Sequence, residues 1–564
     1  MAGNQLQTAT HTAEQAAEHA KAGARAYESG DLASALGSYF MALALQPNHP
    51  VYLHTAVMLI GITDGYALPP IIKKILGAAA QSPTFSCQPL ATAVHNDFVH
   101  DPLSRQFLEL VEQGGDALED GLAGDTFASV LNDRLLRAVL QRAVIVSPRI
   151  EALVTGLRRH ALSRAAAGAA NTLLGRRLDF FACLAAQCFN TEYAFHVTDE
   201  EEAWLAGLLS GDMPSDGTLA LIAAYRPLYS VVGKASVASD VLAELVRQQI
   251  DEPRREQEIR KELPKLTPIE GFSSRMQGQY ESFPYPRWFF AEYARARTFR
   301  QVVEERFPHL TFSDLPKYNA NILVPGCGTG HQLAQLVAML KNPRITAIDL
   351  SGASLAYARR KLDEKKIKIH RFGLGDILAL GEWTERFDFI ECMGVLHHLE
   401  RPEEGLHILV RLLEPHGILR LGLYSERARR HVVEARRLVA EQGFPSSPEG
   451  VRAARKLIMS LPEDHPVHEI MQSQDFYSIA GLHDLIFNLH ECRYTPLGLK
   501  ALLEEAGLEF LGFDHPDPGV PVRFRERFPD DAHQTDLANW ELFDIEFPDT
   551  FASMYQFWCR PIRA

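Results

Sequence analysis

The chain has 564 residues and a formal net charge of -14 at pH 7. This length exceeds what one hydrophobic core accommodates, and the acidic balance argues against non-specific binding of nucleic acid. Seven cysteines without a Cys-x-x-Cys pair predict reduced thiols in a cytoplasmic protein, with neither a disulfide framework nor a metal site. The first residues lack the pattern of a signal peptide, and no apolar run is long enough to predict a membrane span.

The N-terminal part of the sequence predicts helical repeats after a polar tail. Residues 1–15 are predicted to be a disordered tail, and residues 16–95 to form the repeats. Small and aromatic residues resemble the packing positions of the tetratricopeptide repeat family: Gly23, Ala35, Tyr39, Ala42 and Pro47. A second unit, from 50 to about 82, is degenerate. Because one repeat cannot bury its own face, we expect it to pack on the helices that follow. The resemblance implies a protein-binding role, and a helical cap is the alternative.

Three further regions follow in chain order. Apolar residues at three-to-four spacing predict a helical middle domain over 96–255. Residues 256–316 form a linker that includes a stiff aromatic segment, 279–288, with two prolines. From residue 317 on, strands and helices alternate, which is typical of a parallel sheet, so 317–564 is predicted to be an α/β domain.

A glycine-rich loop connects the first strand of this domain to a helix predicted over 331–341. The strand 321–324 leads into Gly326-Cys327-Gly328-Thr329-Gly330. Glycines let the backbone approach a ligand closely, and the helix N-terminus offers amide groups. A dinucleotide fingerprint would need glycine at His331, and a Walker A loop would need Gly-Lys-Ser/Thr. The observed G-x-G-x-G spacing resembles that of S-adenosylmethionine (SAM) dependent methyltransferases.

That resemblance implies a Rossmann-like domain with a seven-stranded, mostly parallel sheet. Asp349 ends the second strand, where its carboxylate can accept both ribose hydroxyls, and Asp376 follows the third, where an acid accepts from the adenine amino group. The other strands are predicted at about 366–372, 387–392, 417–424, 508–513 and 554–559. The predicted contacts to SAM are Gly326, Cys327, Gly328, Gly330, Asp349, Leu350, Asp376, Ile377, Met393, Tyr280 and Arg287.

Two features qualify this cofactor site. In related folds the chain that enters the first strand covers the cofactor, so Tyr280 and Arg287 are predicted to close the pocket, with Arg287 pairing with the cofactor carboxylate. An aromatic clasp between domains is the equal alternative for this segment. Many family members also carry an acid two positions before the first glycine, where this chain has Val324. The amino group of SAM therefore needs another partner.

The acceptor side lacks the signatures of nucleic-acid methylation. The chain has no Pro-Cys dipeptide, and Cys392-Met393-Gly394-Val395 stands where amino-group methyltransferases carry Asp/Asn-Pro-Pro-Tyr/Phe. The turn 394–398 resembles that of small-molecule and some protein methyltransferases. A long connection, 425–495, is predicted to be a helical insertion after strand five that shapes the acceptor pocket. The predicted catalytic residues are His398, Tyr424, Asp475, Tyr477 and Glu491, although His398 is also interpretable as a loop residue.

Taken whole, the chain resembles bacterial proteins that fuse a tetratricopeptide-like, all-α half to a class I methyltransferase domain. The resemblance implies a SAM-dependent methyltransferase whose helical region recruits a protein, so that the acceptor is a protein side chain or a group that the partner carries. One alternative is a small-molecule methyltransferase with a structural helical region. Another is a scaffold protein that binds SAM without turnover, and Val324 keeps it open. The sequence assigns no oligomeric state.

Overall fold

The structure, a computed structural model, describes residues 2–82, 84–168, 174–210, 215–231, 242–291, 295–515, 517 and 519–562. It divides into two compact units. The helical unit comprises Met1–Pro253 and Met471–Ile479, and the sheet unit comprises Arg254–Ile470 and Ala480–Ala564. No helix within these described ranges has the length and apolar character that crossing a membrane requires.

The helical unit is built from helices of nine to 27 residues with a few shorter ones. In chain order they are α1 (Ala2–Glu28), α2 (Leu32–Leu45), α3 (Pro50–Ile62), α4 (Pro70–Ala79), α5 (Leu90–His100), α6 (Pro102–Gln113), α7 (Gly115–Ala123), α8 (Ala128–Leu131), α9 (Arg134–Arg142), α10 (Pro148–Ala166), α11 (Leu178–Asn190), α12 (Asp199–Leu209), α13 (Asp216–Ala223), α14 (Leu228–Val231) and α15 (Ala243–Val246), which continues as a π-helix, Arg247–Asp251. Since α1 begins at Ala2, the range predicted as a disordered tail is helical.

The α1–α2 hairpin follows from a few local residues. A Cβ on Gly23 would lie 2.7 Å from Cδ2 of Tyr39, so glycine is what lets this ring pack against α1. The Asp31 carboxylate accepts a hydrogen bond from Ser34 N and caps α2, which ends before Pro47. One continuous apolar core runs from Ala16 to Ile250, so the hairpin shares its core with the later helices.

The sheet unit contains seven strands and the remaining helices. They are α16 (Glu252–Glu262), α17 (Gly271–Ser282), α18 (Phe299–Arg306), β1 (Asn321–Pro325), α19 (His331–Met339), β2 (Arg344–Asp349), α20 (Gly352–Glu364), β3 (Arg371–Leu374), β4 (Phe387–Met393), α21 (Pro402–Arg411), β5 (Leu413–Tyr424), α22 (Arg430–Gln442), α23 (Pro448–Ser460), α24 (Ile479–Ile486), α25 (Pro496–Glu505), β6 (Leu508–Phe513), α26 (Gly519–Arg527), α27 (Leu537–Glu546) and β7 (Met554–Pro561).

The strand order is β3-β2-β1-β4-β5-β7-β6, with β7 antiparallel to both of its neighbours and every other pair parallel. The order reverses between β1 and β4, and the crevice at such a point is where α/β sheets bind ligands. Strand β6 has the predicted bounds, and β2 ends at Asp349 as predicted. The third strand was predicted too early, because Lys366 has a positive φ of 57° and turns the chain before β3 begins at Arg371.

The predicted insertion 425–495 leaves and rejoins the sheet at one place. Tyr494 N donates to Tyr424 O at 2.9 Å, and Glu426 N donates to Tyr494 O at 2.8 Å, so the two ends of the segment are joined by backbone hydrogen bonds. They meet at the carboxyl end of β5. Within the segment, Met471–Ile479 groups with the helical unit.

Candidate active site

The glycine loop between β1 and α19 has a backbone that only glycine adopts readily. Gly326, Gly328 and Gly330 have φ values of 75°, 53° and 82°. A Cβ on Gly326 would lie 2.5 Å from Cγ2 of Val395, and one on Gly330 would lie 2.8 Å from Cβ of Ala358. The loop therefore packs directly against the turn after β4, across the point where the strand order reverses.

Four amide groups of this loop are bonded within the protein, and the open amide groups expected at the N-terminus of α19 stay a prediction. Gly326 N and Cys327 N both donate to Ile348 O, at 2.8 and 3.0 Å. Gly328 N donates to Asp349 Oδ2 at 2.7 Å, and Gly330 N donates to Cys327 O at 3.0 Å. The loop consequently offers a cofactor a close backbone surface rather than a set of open donors.

Asp349 occupies the position predicted for the ribose acid. Its Oδ1 accepts from Ser351 N at 2.8 Å, while its Oδ2 accepts from Gly328 N. Burial raises the pKa of this carboxyl to about 6, and the hydrogen bonds from the amides of Ser351 and Gly328 act in the opposite direction. A carboxylate has about four acceptor sites, so both oxygens retain capacity for the hydroxyls of a ribose. The residues present here fit a SAM ribose.

The segment 279–288 packs over the loops that follow β1 and β2, where it was predicted to cover the cofactor. Ser351 Oγ donates to Tyr280 O at 3.0 Å, and Trp288 Nε1 donates to Thr329 O at 2.7 Å. The Trp288 ring also lies 5.4 Å from the ring of His331, the residue that replaces the third glycine of a dinucleotide fingerprint.

The two residues of this segment predicted to contact SAM lie in different surroundings. The Arg287 guanidinium lies over the Tyr357 ring at 5.9 Å, and its pairing with the cofactor carboxylate stays a prediction. The hydroxyl of Tyr280 donates to Asp484 Oδ1 at 3.0 Å and accepts from Asn488 Nδ2 at 3.1 Å. Tyr280 therefore reaches the acceptor side of the site with its side chain and the cofactor side with its carbonyl.

The adenine side contains the predicted Asp376, which is 5% exposed. Its Oδ1 accepts from Leu378 N at 3.0 Å, its own amide donates to Thr267 Oγ1 at 2.7 Å, and burial raises the pKa of its carboxyl. Ile377 beside it is buried, Leu350 O accepts from Gln277 Nε2, and Met393 ends β4 partly exposed. Sequence reasoning missed Thr267 and Gln277, because nothing in the segment before β1 signals that it runs beside β3.

Val324 stands where many methyltransferases carry an acid, and it is fully buried in β1. Its side chain belongs to the same apolar core as Cys327 of the glycine loop. Burial raises the pKa of the Cys327 thiol well above its usual value, so this cysteine is a neutral packing group. Val324 thus adds no charge that could bind the amino group of SAM.

The turn after β4 and the end of β5 form a compact aromatic stack. The rings of His397 and Tyr424 stack at 3.7 Å, and the Arg429 guanidinium carbon lies 3.6 Å from the centroid of the same tyrosine ring. His397 is fully buried, and His398 and Tyr424 are 6% and 7% exposed. These three residues, two of which were predicted to be catalytic, therefore lie together at the carboxyl edge of the sheet.

The hydrogen bonds of the two histidines define where their protons lie. His398 Nδ1 is 2.8 Å from His490 O, and because a carbonyl only accepts, Nδ1 carries the proton. Burial lowers the pKa of both rings, that of His397 far below its usual value, so both are neutral near pH 7. His398 Nε2 then accepts from His397 Nε2, 3.2 Å away. The Gly422 backbone also interacts with the His397 ring and raises its pKa, against the larger effect of burial.

Glu491, predicted to be catalytic, is held in a buried ion pair. Arg429 Nε donates to Glu491 Oε1 at 3.0 Å and Nη2 donates to Oε2 at 2.7 Å, and both side chains are 1% exposed. Arg429, Arg436 and Arg493 hold the pKa of the Glu491 carboxyl below its usual value, against the effect of burial. A carboxylate so enclosed anchors the 484–491 region against β5, and its geometry does not support contact with an acceptor.

The remaining two predicted catalytic residues are in Met471–Ile479, the part of the segment that groups with the helical unit. Asp475 lies in a short 3-10 turn, Gln474–Tyr477, that the preceding Ser473 caps. Tyr477 is 1% exposed and packs edge-on against Phe476, with ring centroids 5.5 Å apart. The structure therefore does not group them with His398 and Tyr424, and their catalytic role stays a prediction.

Residues 316–479 match the model of a family described as a methyltransferase domain. Over these residues, less than a third of the chain, the protein is similar to a methyltransferase domain. Its cofactor is S-adenosylmethionine, as the spacing of Gly326, Gly328 and Gly330 predicted.

Three similar proteins extend this comparison. The chain is 31% identical over 257 residues to an uncharacterized protein of Synechococcus, which covers 42% of this chain and 59% of that protein. It is 29% identical over 138 residues to the ubiquinone biosynthesis O-methyltransferase of Azotobacter vinelandii, which covers 24% of this chain and 57% of that protein. Among solved structures, PKMT2 from Rickettsia typhi in complex with AdoHcy has a TM-score of 0.34 at 17% identity, covering 43% of this chain and 49% of that one. The chain thus spans less than two thirds of each of these proteins.

The sheet unit also contains site residues that the sequence did not single out. They are Thr267, Gln277, Asp484, Asn488, His490 and Arg429, each of which bonds to a predicted site residue or its neighbour. Four of them lie in the predicted insertion, where the unusual length of the connection between β5 and α25 was the available signal.

Proposed function

We propose that the chain is a SAM-dependent methyltransferase whose acceptor is a protein side chain, or a group carried by a partner protein, that the helical unit recruits. The observation that carries the proposal is that the cofactor contacts and the helical core lie in different units. All predicted cofactor contacts lie in the sheet unit, while the helical unit has a core of its own that extends from Ala16 to Ile250. A unit of this size with no part in cofactor binding is suited to recruiting a partner.

In this proposal the residues of the sheet unit position the cofactor and manage the proton of the acceptor. SAM supplies an electrophilic methyl group. Asp349 accepts from the ribose hydroxyls, Asp376 from the adenine amino group, and the segment 279–288 excludes water from the loops after β1 and β2. The His397–His398 pair takes the proton of an acceptor that must lose one, with His398 Nε2 as the basic nitrogen and the hydrogen bond from His398 Nδ1 to His490 O holding that ring in place.

His398→Asn tests this proton path. The Asn amide N–H can still donate to His490 O, as Nδ1 does, but the basic nitrogen that accepts from His397 is gone. We expect kcat to fall about 100-fold, which is the lower range of what a general base contributes. Calorimetric binding of SAM should stay unchanged, because the cofactor loops do not contact this nitrogen. An unchanged kcat with the identified acceptor contradicts a role of the pair in proton transfer.

The class of acceptor is tested by incubating a cell extract with the full chain and methyl-labelled SAM. Label in protein supports the proposal, and label in small solutes supports a small-molecule methyltransferase. This second candidate draws on the similarity to the O-methyltransferase of ubiquinone biosynthesis from Azotobacter vinelandii. Binding of SAM with no transfer to any fraction of the extract would favour the third candidate, the scaffold protein to which Val324 points.

We also propose a cytoplasmic location and a tetratricopeptide-like role for α1–α4. The seven cysteines are free, and all but Cys492 are buried, which suits a reducing compartment. The hairpin of α1 and α2 has the Gly23–Tyr39 contact that the repeat resemblance implies. Partner binding by these helices is tested together with the acceptor class, by identifying the labelled protein.

A further inference from the structure

The helical unit contains a pocket of about 510 Å³ that the cofactor site does not use. Its walls are the corner between α6 and α7, one face of α10, and the first turn of α12 with the residues before it. The face of α10 presents Ala152, Thr155, Arg159 and Ser163 to the pocket, at the three-to-four spacing of one helix side. This size lies within the range of sites that bind small molecules or single peptide side chains.

Small residues create this space. A Cβ on Gly156 of α10 would lie 2.6 Å from Cγ1 of Val111, so glycine lets α6 approach α10 closely at the floor. The hydroxyl of Thr155 donates to Glu151 O at 2.8 Å, and that of Ser163 donates to His160 O at 2.9 Å. Their side chains therefore turn back onto α10 and leave the volume above it open.

The charges around the pocket leave it acidic. Glu112, Glu151 and Glu201 line it, and the last two are 7% and 3% exposed. Two of its basic side chains, Arg159 and His160, already have acidic partners. Arg159 Nη2 lies 3.2 Å from Glu200 Oε2, and His160 Nε2 lies 2.9 Å from Glu119 Oε2. An anionic ligand would have to compete with both of these carboxylates, whereas a cation meets a field that is negative on balance.

Trp204 adds an aromatic face to this acidic wall. It lies on α12, one turn after Glu201, and is partly exposed to the pocket. The Glu201 carboxylate beside it is fixed in place, since Tyr225 Oη donates to Oε1 at 2.8 Å and Thr198 N donates to Oε2 at 2.9 Å. An indole next to oriented carboxylates is the combination that holds lysine and arginine side chains, through cation–π attraction and ion pairing.

We propose that this pocket binds a basic segment of the protein that brings the methyl acceptor, with a lysine or arginine side chain seated between Trp204 and the carboxylate of Glu112. The inference rests on the proposed function and names the chemistry of its partner. A cavity, a net negative lining and an aromatic face each favour the same occupant. The pocket lies wholly within the helical unit, so its binding is measurable without SAM.

The test uses the full chain and a dodecapeptide of alternating lysine and serine, with a glutamate–serine peptide as the comparison. Isothermal calorimetry without SAM should detect the lysine peptide alone, with affinity that falls as salt is raised. Trp204→Leu should weaken this binding about threefold, as expected for loss of a cation–π contact. Binding of the glutamate peptide, or equal binding of both, would overturn the proposal.

A matched pair of variants on α6 separates the pocket from the general acidity of the chain. Glu112→Gln removes one charge from the pocket and should weaken lysine-peptide binding about fivefold, the upper range for an exposed ion pair. Glu109→Gln removes the same charge from the same helix outside the pocket, where Glu109 is 3.9 Å from Arg105, and should leave binding unchanged. Equal losses in the two variants contradict a pocket-specific site.

The two proposals fail in distinguishable ways. A chain that transfers labelled methyl to protein but does not bind the lysine peptide refutes the pocket assignment alone. A chain that binds the peptide through Glu112 but labels only small solutes refutes the protein acceptor and leaves the basic-segment site established.

Discussion

Asp349→Asn is expected to weaken SAM binding by about 30-fold, because hydrogen bonds to an ionised group contribute about 1.5–3 kcal/mol each. The substitution keeps the shape of the side chain but replaces one acceptor oxygen with an amide N–H. In the native protein the backbone amides of Ser351 and Gly328 each donate to one carboxylate oxygen of Asp349. In the variant, the new amide N–H would face one of these two donors, and no hydrogen bond can form there. The loop after β1 thus loses a hydrogen bond as well as the charge, and calorimetry with SAM measures the result.

The same carboxylate predicts a pH dependence of binding. The pKa of Asp349 is raised to about 6 in the free protein, and ribose hydroxyls donate to its ionised form. Binding of SAM is therefore full above pH 6 and weakens as the pH falls through about 6, when the carboxyl takes up its proton. Asp349→Asn should abolish this dependence. Asp363→Asn, which removes an exposed acid 3.1 Å from Arg359 on α20, should keep it. Affinity that stays constant from pH 7.5 to 5 would contradict the role of Asp349.

Glu491→Gln is expected to lower the free energy of unfolding by about 3–5 kcal/mol, the cost of leaving a buried ion-pair partner without its counter-charge. Arg429 is 1% exposed and stacks on Tyr424, so it cannot turn to water when the carboxylate is gone. Urea unfolding of the sheet unit measures the loss.

Glu426→Gln is the control for this prediction. Glu426 and Glu491 both contact Arg493, at 3.0 and 3.3 Å, but Glu426 is half exposed. Its loss should cost less than about 1 kcal/mol. The double variant Arg429→Met/Glu491→Leu should recover most of the stability, since apolar pairs often replace buried ion pairs without loss. Similar effects of Glu426→Gln and Glu491→Gln would show that the pair does not act as a buried unit.

Much of the sheet unit was predictable because its strands are short apolar runs that end in recognisable residues. β2 ends at Asp349 and β1 at the glycine loop, and both features mark the carboxyl edge of a parallel sheet. The first residue of β3 was predicted too early, since only the positive φ at Lys366 shows that the chain turns there. Such a backbone angle has no strong signature in a lysine.

The acceptor side was harder to predict, for reasons that involve long-range contacts. Glu491 has the residue type of a catalytic acid, and its bidentate pairing with Arg429, 62 positions earlier, is a property of the fold alone. His398 was interpreted either as a base or as a loop residue, and the proton on its Nδ1 is assigned only from the distance to His490 O, 92 positions later. The local sequence shows which residue types are present at a site. Their hydrogen-bond and ion-pair partners, which come from distant parts of the chain, decide which of these side chains can contact an acceptor.

The backbone hydrogen bonds that Tyr494 forms with Tyr424 and Glu426 close the intervening segment into a loop with fixed ends. Its two ends are already paired at the sheet, so the entropy of closing the loop depends only weakly on how many residues lie between them. We expect that exchanging the part of the segment between the Arg429 and Glu491 positions leaves the registers of β5 and β7 in place, provided that this ion pair is kept. The segment that shapes the acceptor side can thus change in sequence and length while the glycine loop and Asp349 on the cofactor side stay the same.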